Sequence, residues 1–163
     1  MPLIPECRAH YPRLGRIPRV IRSEAPMRPT SSTILLVESN ANDNLRLRDA
    51  FAQAGHTAPI ARAGDGDDAV AQLEGTGPTP GLVIIDLDLD RGSGFQVLER
   101  MQSSRELAGI PVVVLTSSRQ PRDVQRAYAL GARDYRVIPK SMADLCEIVR
   151  GIEKVWLENP GGL

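Results

Sequence analysis

The feature that most restricts this chain is an alternation of two apolar rhythms from Thr33 onward. Five short aliphatic runs appear in order: "TILLVE", "HTAPIARA", "GLVIID", "IPVVVLTSS" and "RDYRVI". Between and after them lie stretches whose apolar residues recur at helical spacing. These are "NANDNLRLRDAFAQAG" (Leu45, Leu47, Ala50, Phe51, Ala54), "DGDDAVAQLEG", "GFQVLERMQSS" (Phe95, Val97, Leu98, Met101), "QPRDVQRAYALG" and "SMADLCEIVRGIEKVWLE". In the last, Leu145, Ile148, Val149, Ile152, Val155 and Trp156 mark the expected buried stripe. Short aliphatic runs bounded by turn residues read as buried strands, and the longer periodic stretches as amphipathic helices. Five strand–helix units in succession can bury their strands only as a parallel sheet covered on both faces. Right-handed crossovers then predict a doubly wound, five-stranded α/β sheet of order 2-1-3-4-5. Pro59 in the second run agrees, because proline lacks a ladder donor and belongs on an edge strand.

Local signals punctuate the pattern. Asn40, Ser117 and Ser118 read as helix caps, and Ser141 with Asp144 as a capping box. Pro121 suits the first turn of the fourth helix, and Gly131 suits its end.

Composition matters mainly for what lies outside this pattern. Residues 1–32 hold six arginines against Glu6 and Glu24, a balance of +4, and six of the thirteen prolines. Proline at that density forms neither helix nor sheet, so 1–32 is expected to be a disordered Arg/Pro-rich extension. Met27 stands just before the first strand, so residues 1–26 can also be read as an upstream-start artefact. Residues 33–158 are expected to form the folded domain, and 159–163 a short tail. The whole chain is formally neutral, which argues against a nucleic-acid partner. No apolar run is long enough for a membrane span, and no secretory leader is visible. Cys7 and Cys146 make no disulfide framework, and Cys146 reads as a core thiol. A cytoplasmic location is the corresponding expectation.

In a sheet of this kind, ligands sit beyond the carboxyl ends of the strands. There the sequence places Glu38, Asp86, Thr116 and Lys140. Asp86 ends "LVIID", where a carboxylate would be costly inside the strand and is best placed at its lip. A carboxylate there can act as a nucleophile that accepts a phosphoryl group. Such a transfer needs a divalent cation held by oxygen ligands, and Mg²⁺ fits that description. Glu38 and a backbone carbonyl near Asp88 can hold the ion, and Thr116 can donate to the phosphoryl oxygens.

The motifs "ILLVESN", "DGDDAV", "LVIIDLDLDRGSGFQVL", "PVVVLTSS" and "GARDYRVIP" together resemble the receiver domain of response regulators in two-component signalling. The resemblance runs from about Thr33 to Glu158, and is similar in type to the single-domain regulators that partner bacterial phytochromes. It implies a flavodoxin-like receiver fold and a phosphoprotein rather than a turnover enzyme. By resemblance, Asp86 is the phosphoacceptor, Glu38 a metal ligand, and Asp88 a ligand through its main-chain carbonyl. Thr116 and Tyr135 form the switch pair, Gly94 starts the third helix, and the Ile138–Pro139 bond is expected to be cis. The implied partners are a histidine kinase or phosphotransfer protein and a downstream protein. The face of the fourth helix, fifth strand and last helix is offered for dimerisation or partner binding.

Two positions depart from the family pattern. Ser39 stands where a second acid is usual, which removes a charged metal ligand and predicts weak Mg²⁺ binding. Ile138 stands where a lysine normally binds the phosphoryl oxygens, and Lys140 is a doubtful substitute two positions on. Asp88 and Asp90 can be read as partial replacements for the lost acid, or as a polar loop. The domain can therefore be a phosphoacceptor with weakened coordination, or a degenerate receiver that binds proteins without phosphorylation. A remote alternative is a haloacid-dehalogenase-like phosphatase, whose first motif "IIDLDLD" resembles. It lacks the acid pair expected after Lys140, and two strands precede the nucleophile. An EF-hand reading of Asp86-x-Asp88-x-Asp90 fails, since Arg91 and Val97 occupy the glycine and acid positions.

Overall fold

The computed structural model describes residues 32–158. The expected tail, upstream start and short C-terminal segment therefore lie outside the described residues. The strands are β1 (Ile34–Val37), β2 (Ile60–Ala63), β3 (Leu82–Ile85), β4 (Val112–Thr116) and β5 (Asp134–Val137). The helices are α1 (Ala41–Gln53), α2 (Gly66–Glu74), α3 (Gly94–Ser103), α4 (Pro121–Ala129) and α5 (Met142–Glu153), followed by a π-helical turn at Lys154–Glu158. All four strand pairings are parallel, in the order β2-β1-β3-β4-β5 that the alternation predicts.

Every residue of β1, β3 and β4 is buried. Their side chains alternate between two cores. Leu35, Val37, Val83, Ile85, Val112 and Val114 face one, with Leu98 and Met101 of α3. Ile34, Leu36, Leu82, Ile84, Val113 and Leu115 face the other, with Phe51 of α1 and Leu145 of α5. Burial on both faces is why these strands read as unbroken aliphatic runs rather than polar–apolar alternation. The edge strands β2 and β5 are less buried. Pro59 falls just before β2 rather than inside it, and only its carbonyl joins the ladder, accepting from the Ile34 amide at 3.1 Å. A residue without an N–H is tolerated at that place.

Four local expectations need correction. Leu45 is 60% exposed, because the buried stripe of α1 runs through Asn44, Leu47, Ala50 and Phe51. Val155 is 46% exposed, whereas Trp156 and Leu157 pack on the α1/α5 core. The π turn widens the helix beyond α5, so a helical period extrapolated from Leu145 loses phase there. Ser141 accepts from the Asp144 amide at 3.0 Å in a one-way cap. The reciprocal capping box belongs instead to Ser93 and Gln96 at the start of α3. Finally, no described peptide bond is cis, so Ile138–Pro139 is trans. Trans is the default for an X–Pro bond. Cys146 is buried as expected, with its thiol 3.6 Å from Gln53 Oε1.

Candidate functional site

The carboxyl ends of β1, β3 and β4 form a crest, and the three central residues meet there. Glu38 follows β1 and is 1% exposed, and Asp86 follows β3, its amide donating to the Val37 carbonyl at 3.0 Å. Thr116 ends β4 and is fully buried. Its hydroxyl donates to Asp86 Oδ1 at 2.6 Å, and the Asp88 amide donates to the same oxygen at 3.3 Å. Parallel register brings about this meeting: Val37 pairs with Ile85, and Ile85 with Val114, so the residues that follow emerge together.

The chain after Asp86 alternates in burial. Leu87 is buried and Leu89 packs on the core, which leaves Asp88 and Asp90 exposed. Gly94 closes this loop. A Cβ on it would lie 2.3 Å from the Asp86 carbonyl oxygen and 2.8 Å from the Leu87 Cα. Only glycine allows α3 to start against the phosphoacceptor candidate in this way.

Burial dominates the electrostatics. It pushes the Glu38 carboxyl up to about 7, assisted by the nearby charges of Asp86 and Asp43 and opposed by the Asn40 amide. That amide donates to Glu38 Oε1 at 2.8 Å, while Oε2 is buried without a partner. Burial also raises the Asp86 carboxyl, with the Thr116 hydroxyl and Asp88 amide pulling the other way. Two adjacent carboxyls, one with a dry and unpartnered oxygen, suit a divalent cation that would keep both ionised. Glu38 and Asp86 therefore fit Mg²⁺. The set is thin, however: among the described residues no three His, Cys, Asp or Glu side chains cluster to hold a metal.

Thr116 and Tyr135 are joined through a residue the sequence reading took for a helix cap. The Ser118 amide donates to Thr116 Oγ1 at 3.4 Å, and its carbonyl accepts from the Tyr135 hydroxyl at 2.9 Å. The Ser118 hydroxyl donates to Asp123 Oδ2 at 2.6 Å. The N-cap of α4 is Gln120, which makes no side-chain cap bond. Asn40, by contrast, caps α1 as expected, accepting from Asn42 and Asp43. Burial raises the Tyr135 phenol, the Ser118 side chain opposes the rise, and the charges of Asp123, Asp86 and Asp88 add to it.

At the two departures the structure shows no replacement charge. Ser39 is half-buried, and its carbonyl accepts from Arg62 Nη2 at 3.3 Å. Ile138 packs on the α1/α5 core. Lys140 is exposed, and its carbonyl accepts from Arg46. Gly94 starts α3 as expected, whereas nothing in the sequence pointed to the roles of Ser118, Arg46 and Arg62. Gly94 and Ser118 do follow Asp86 and Thr116 at short range, where a close approach or a turn bond is a reasonable thing to look for.

This chain matches the family model for the response regulator receiver domain over residues 34–150. The probable methanogenesis regulatory protein FilR2 of Methanothrix harundinacea is 38% identical over 128 residues, 76% of this chain and 83% of that protein. Response regulator Rcp1 of Synechocystis sp. is 34% identical over 130 residues, 77% of this chain and 88% of Rcp1. The crystal structure of its Mn²⁺-bound form matches with a TM-score of 0.71 and 33% identity, covering 78% of this chain and 96% of that one. The phosphorylated cyanobacterial phytochrome response regulator RcpA matches with a TM-score of 0.73 and 32% identity, covering 78% and 95%. With its five-stranded 2-1-3-4-5 sheet and this match over most of its length, the chain belongs to the response regulator receiver family of two-component signalling.

Proposed function

We propose that the chain is a single-domain response regulator that accepts a phosphoryl group on Asp86 and signals by protein–protein contact, with weakened cation and phosphoryl coordination. The observation that carries this reading is the Thr116 hydroxyl on Asp86, beside the unpartnered buried oxygen of Glu38. The donor would be a histidine kinase or phosphotransfer protein. The Asp86 carboxylate attacks phosphorus while the bond to the donor breaks, and the product is an aspartyl phosphate rather than a released turnover product. Glu38, Asp86 and the Asp88 main-chain carbonyl would hold Mg²⁺, which supplies charge neutralisation to the transferring group. Thr116 is placed to turn its hydroxyl to the phosphoryl oxygens, and the Ser118 link passes that movement to Tyr135. The face of α4, β5 and α5 is the candidate surface for a downstream protein or a second copy. A cytoplasmic location agrees with this role, and no described helix is long and apolar enough to cross a membrane. That Rcp1 has a Mn²⁺-bound form and RcpA a phosphorylated one supports the reading.

Incubation with acetyl phosphate and Mg²⁺, followed by intact-mass measurement, tests it. One phosphoryl adduct on the wild type and none on Asp86→Ala is the expected result. Equal adducts on both would overturn the assignment. The second reading is a phosphorylation-independent adaptor. It is favoured by Ile138, whose apolar side chain packs into the core where a lysine would reach the phosphoryl group. Under it, Asp86→Ala binds the downstream protein as tightly as wild type.

A further inference from the structure

Each departure from the family pattern lies next to a loop carbonyl held by an arginine from a neighbouring element. On one rim, Arg46 of α1 reaches the loop between β5 and α5. Its Nη2 donates to the Pro139 carbonyl at 3.0 Å and to the Lys140 carbonyl at 3.1 Å. Asp43, 3.7 Å from Arg46 Nη1, steadies the guanidinium, whose side chain is 32% exposed. The same loop is tied to β4 by the Ile138 amide, which donates to the Thr116 carbonyl at 2.9 Å. A shift of this loop is thus felt at the residue that contacts Asp86. On the other rim, exposed Arg62 of β2 donates to the carbonyl of Ser39, the residue after Glu38.

We propose that Arg46, seconded by Arg62, is a positioning residue that holds the crest loops in a set shape, in place of the ionic contacts Ser39 and Ile138 cannot make. The inference takes its meaning from the phosphoacceptor reading above. A lysine at position 138 would pair with the Asp86 carboxylate and change partner when a phosphoryl group arrived. Guanidinium-to-carbonyl bonds exist without one. They are charge-assisted, and two successive carbonyls on one donor nitrogen restrain the backbone on both sides of Lys140. The β5–α5 loop is therefore already ordered in the unphosphorylated chain. Phosphorylation therefore moves this loop less than it would with a lysine at position 138.

Amide hydrogen exchange on the full chain, without metal or phosphodonor, tests the bracing directly. Arg46→Ala is expected to speed exchange about tenfold at the Ile138 amide, which is bonded to the Thr116 carbonyl, and Arg46→Lys to restore most of the protection. Arg62→Ala is expected to give a smaller rise, about threefold, confined to the Asn40 amide, which is bonded to Glu38. A second arm adds Mg²⁺ and beryllofluoride in a Ser39→Asp background, where the added carboxylate secures the cation. There the Ile138 amide should respond at least about threefold more with Arg46→Ala than with Arg46 in place. Wild-type loop exchange in Arg46→Ala overturns the proposal. So does acceleration spread evenly over β1 and β3, which would mark general destabilisation. Failure of Asp86 to take up phosphate leaves the first arm unaffected and counts only against the phosphoacceptor reading.

Discussion

The centre of the crest and its rims are built by different means. At the centre, Asp86, Thr116, Ser118 and Tyr135 form a continuous hydrogen-bonded chain across β3, β4 and β5. At the rims, Ser39 and Ile138 offer neither an acid nor a cation, and arginines secure the backbone instead. Under the proposed reading, the centre holds the groups that would receive a phosphoryl group and sense it. The rims lack the charged side chains that would hold the group and its cation tightly. The contrast teaches that one crest can be held by side-chain hydrogen bonds at its centre and by guanidinium-to-carbonyl bonds at its rims, because the two sets draw on different residues.

The strongest way to break the centre is Gly94→Ala. Its Cβ would meet the Asp86 carbonyl at 2.3 Å, backbone that has no free end to swing away. Destabilisation of about 3 kcal/mol is expected, read by urea unfolding. Next comes the pH response of Glu38. Its folded pKa of about 7 is raised from 4.5, so the folded chain holds the proton more tightly than the unfolded one. The stabilisation is fully present below the unfolded value and fades as pH rises through about 7. Between pH 5 and 8 the wild type should lose about 2 to 3 kcal/mol from this group, and Glu38→Gln should lose none of that portion. Equal pH slopes for the two proteins would remove the buried-carboxyl account.

Ser39→Asp sharpens the comparison by repairing one rim. Mg²⁺ should bind about tenfold more tightly, or about 1.4 kcal/mol, in a calorimetric titration. An unchanged affinity would show that ligand count does not limit the site. The smallest effect is expected for Tyr135→Phe, which removes one bond to the Ser118 carbonyl. A loss of about 1 kcal/mol or less, with little change in phosphoryl uptake, is the expected outcome.

The sheet was legible because its evidence is repeated. Five apolar runs and five helical periods agree with one another, and the order follows from crossover handedness and the edge position of Pro59. Asp86, Glu38 and Thr116 were legible for the same reason, since each ends a strand that the pattern locates. Less was legible where one local signal had to stand alone. The stripe of α1 placed Leu45 inside, whereas the helix is rotated to bury Asn44, whose Oδ1 accepts from Arg48 Nε. Ser118 looked like a cap because serine after a strand often is one; its carbonyl's bond from Tyr135 depends on how β4 and β5 lie side by side. The π turn after α5 gave no periodic warning.

Resemblance to the receiver family marked the two positions where an acid and a lysine are missing, whereas the sequence by itself determined the parallel sheet, its strand order and the crest where chemistry can occur. Those follow from hydrophobic period and residue type, which are written along the chain. Tertiary structure alone decided how the gaps are handled. Arg46 and Pro139 are 93 residues apart, and Arg62 and Ser39 are 23 apart, so no local pattern links either pair. They meet because packing α1 beside α5 and pairing β2 with β1 brings arginines to carbonyls that lack a ladder partner.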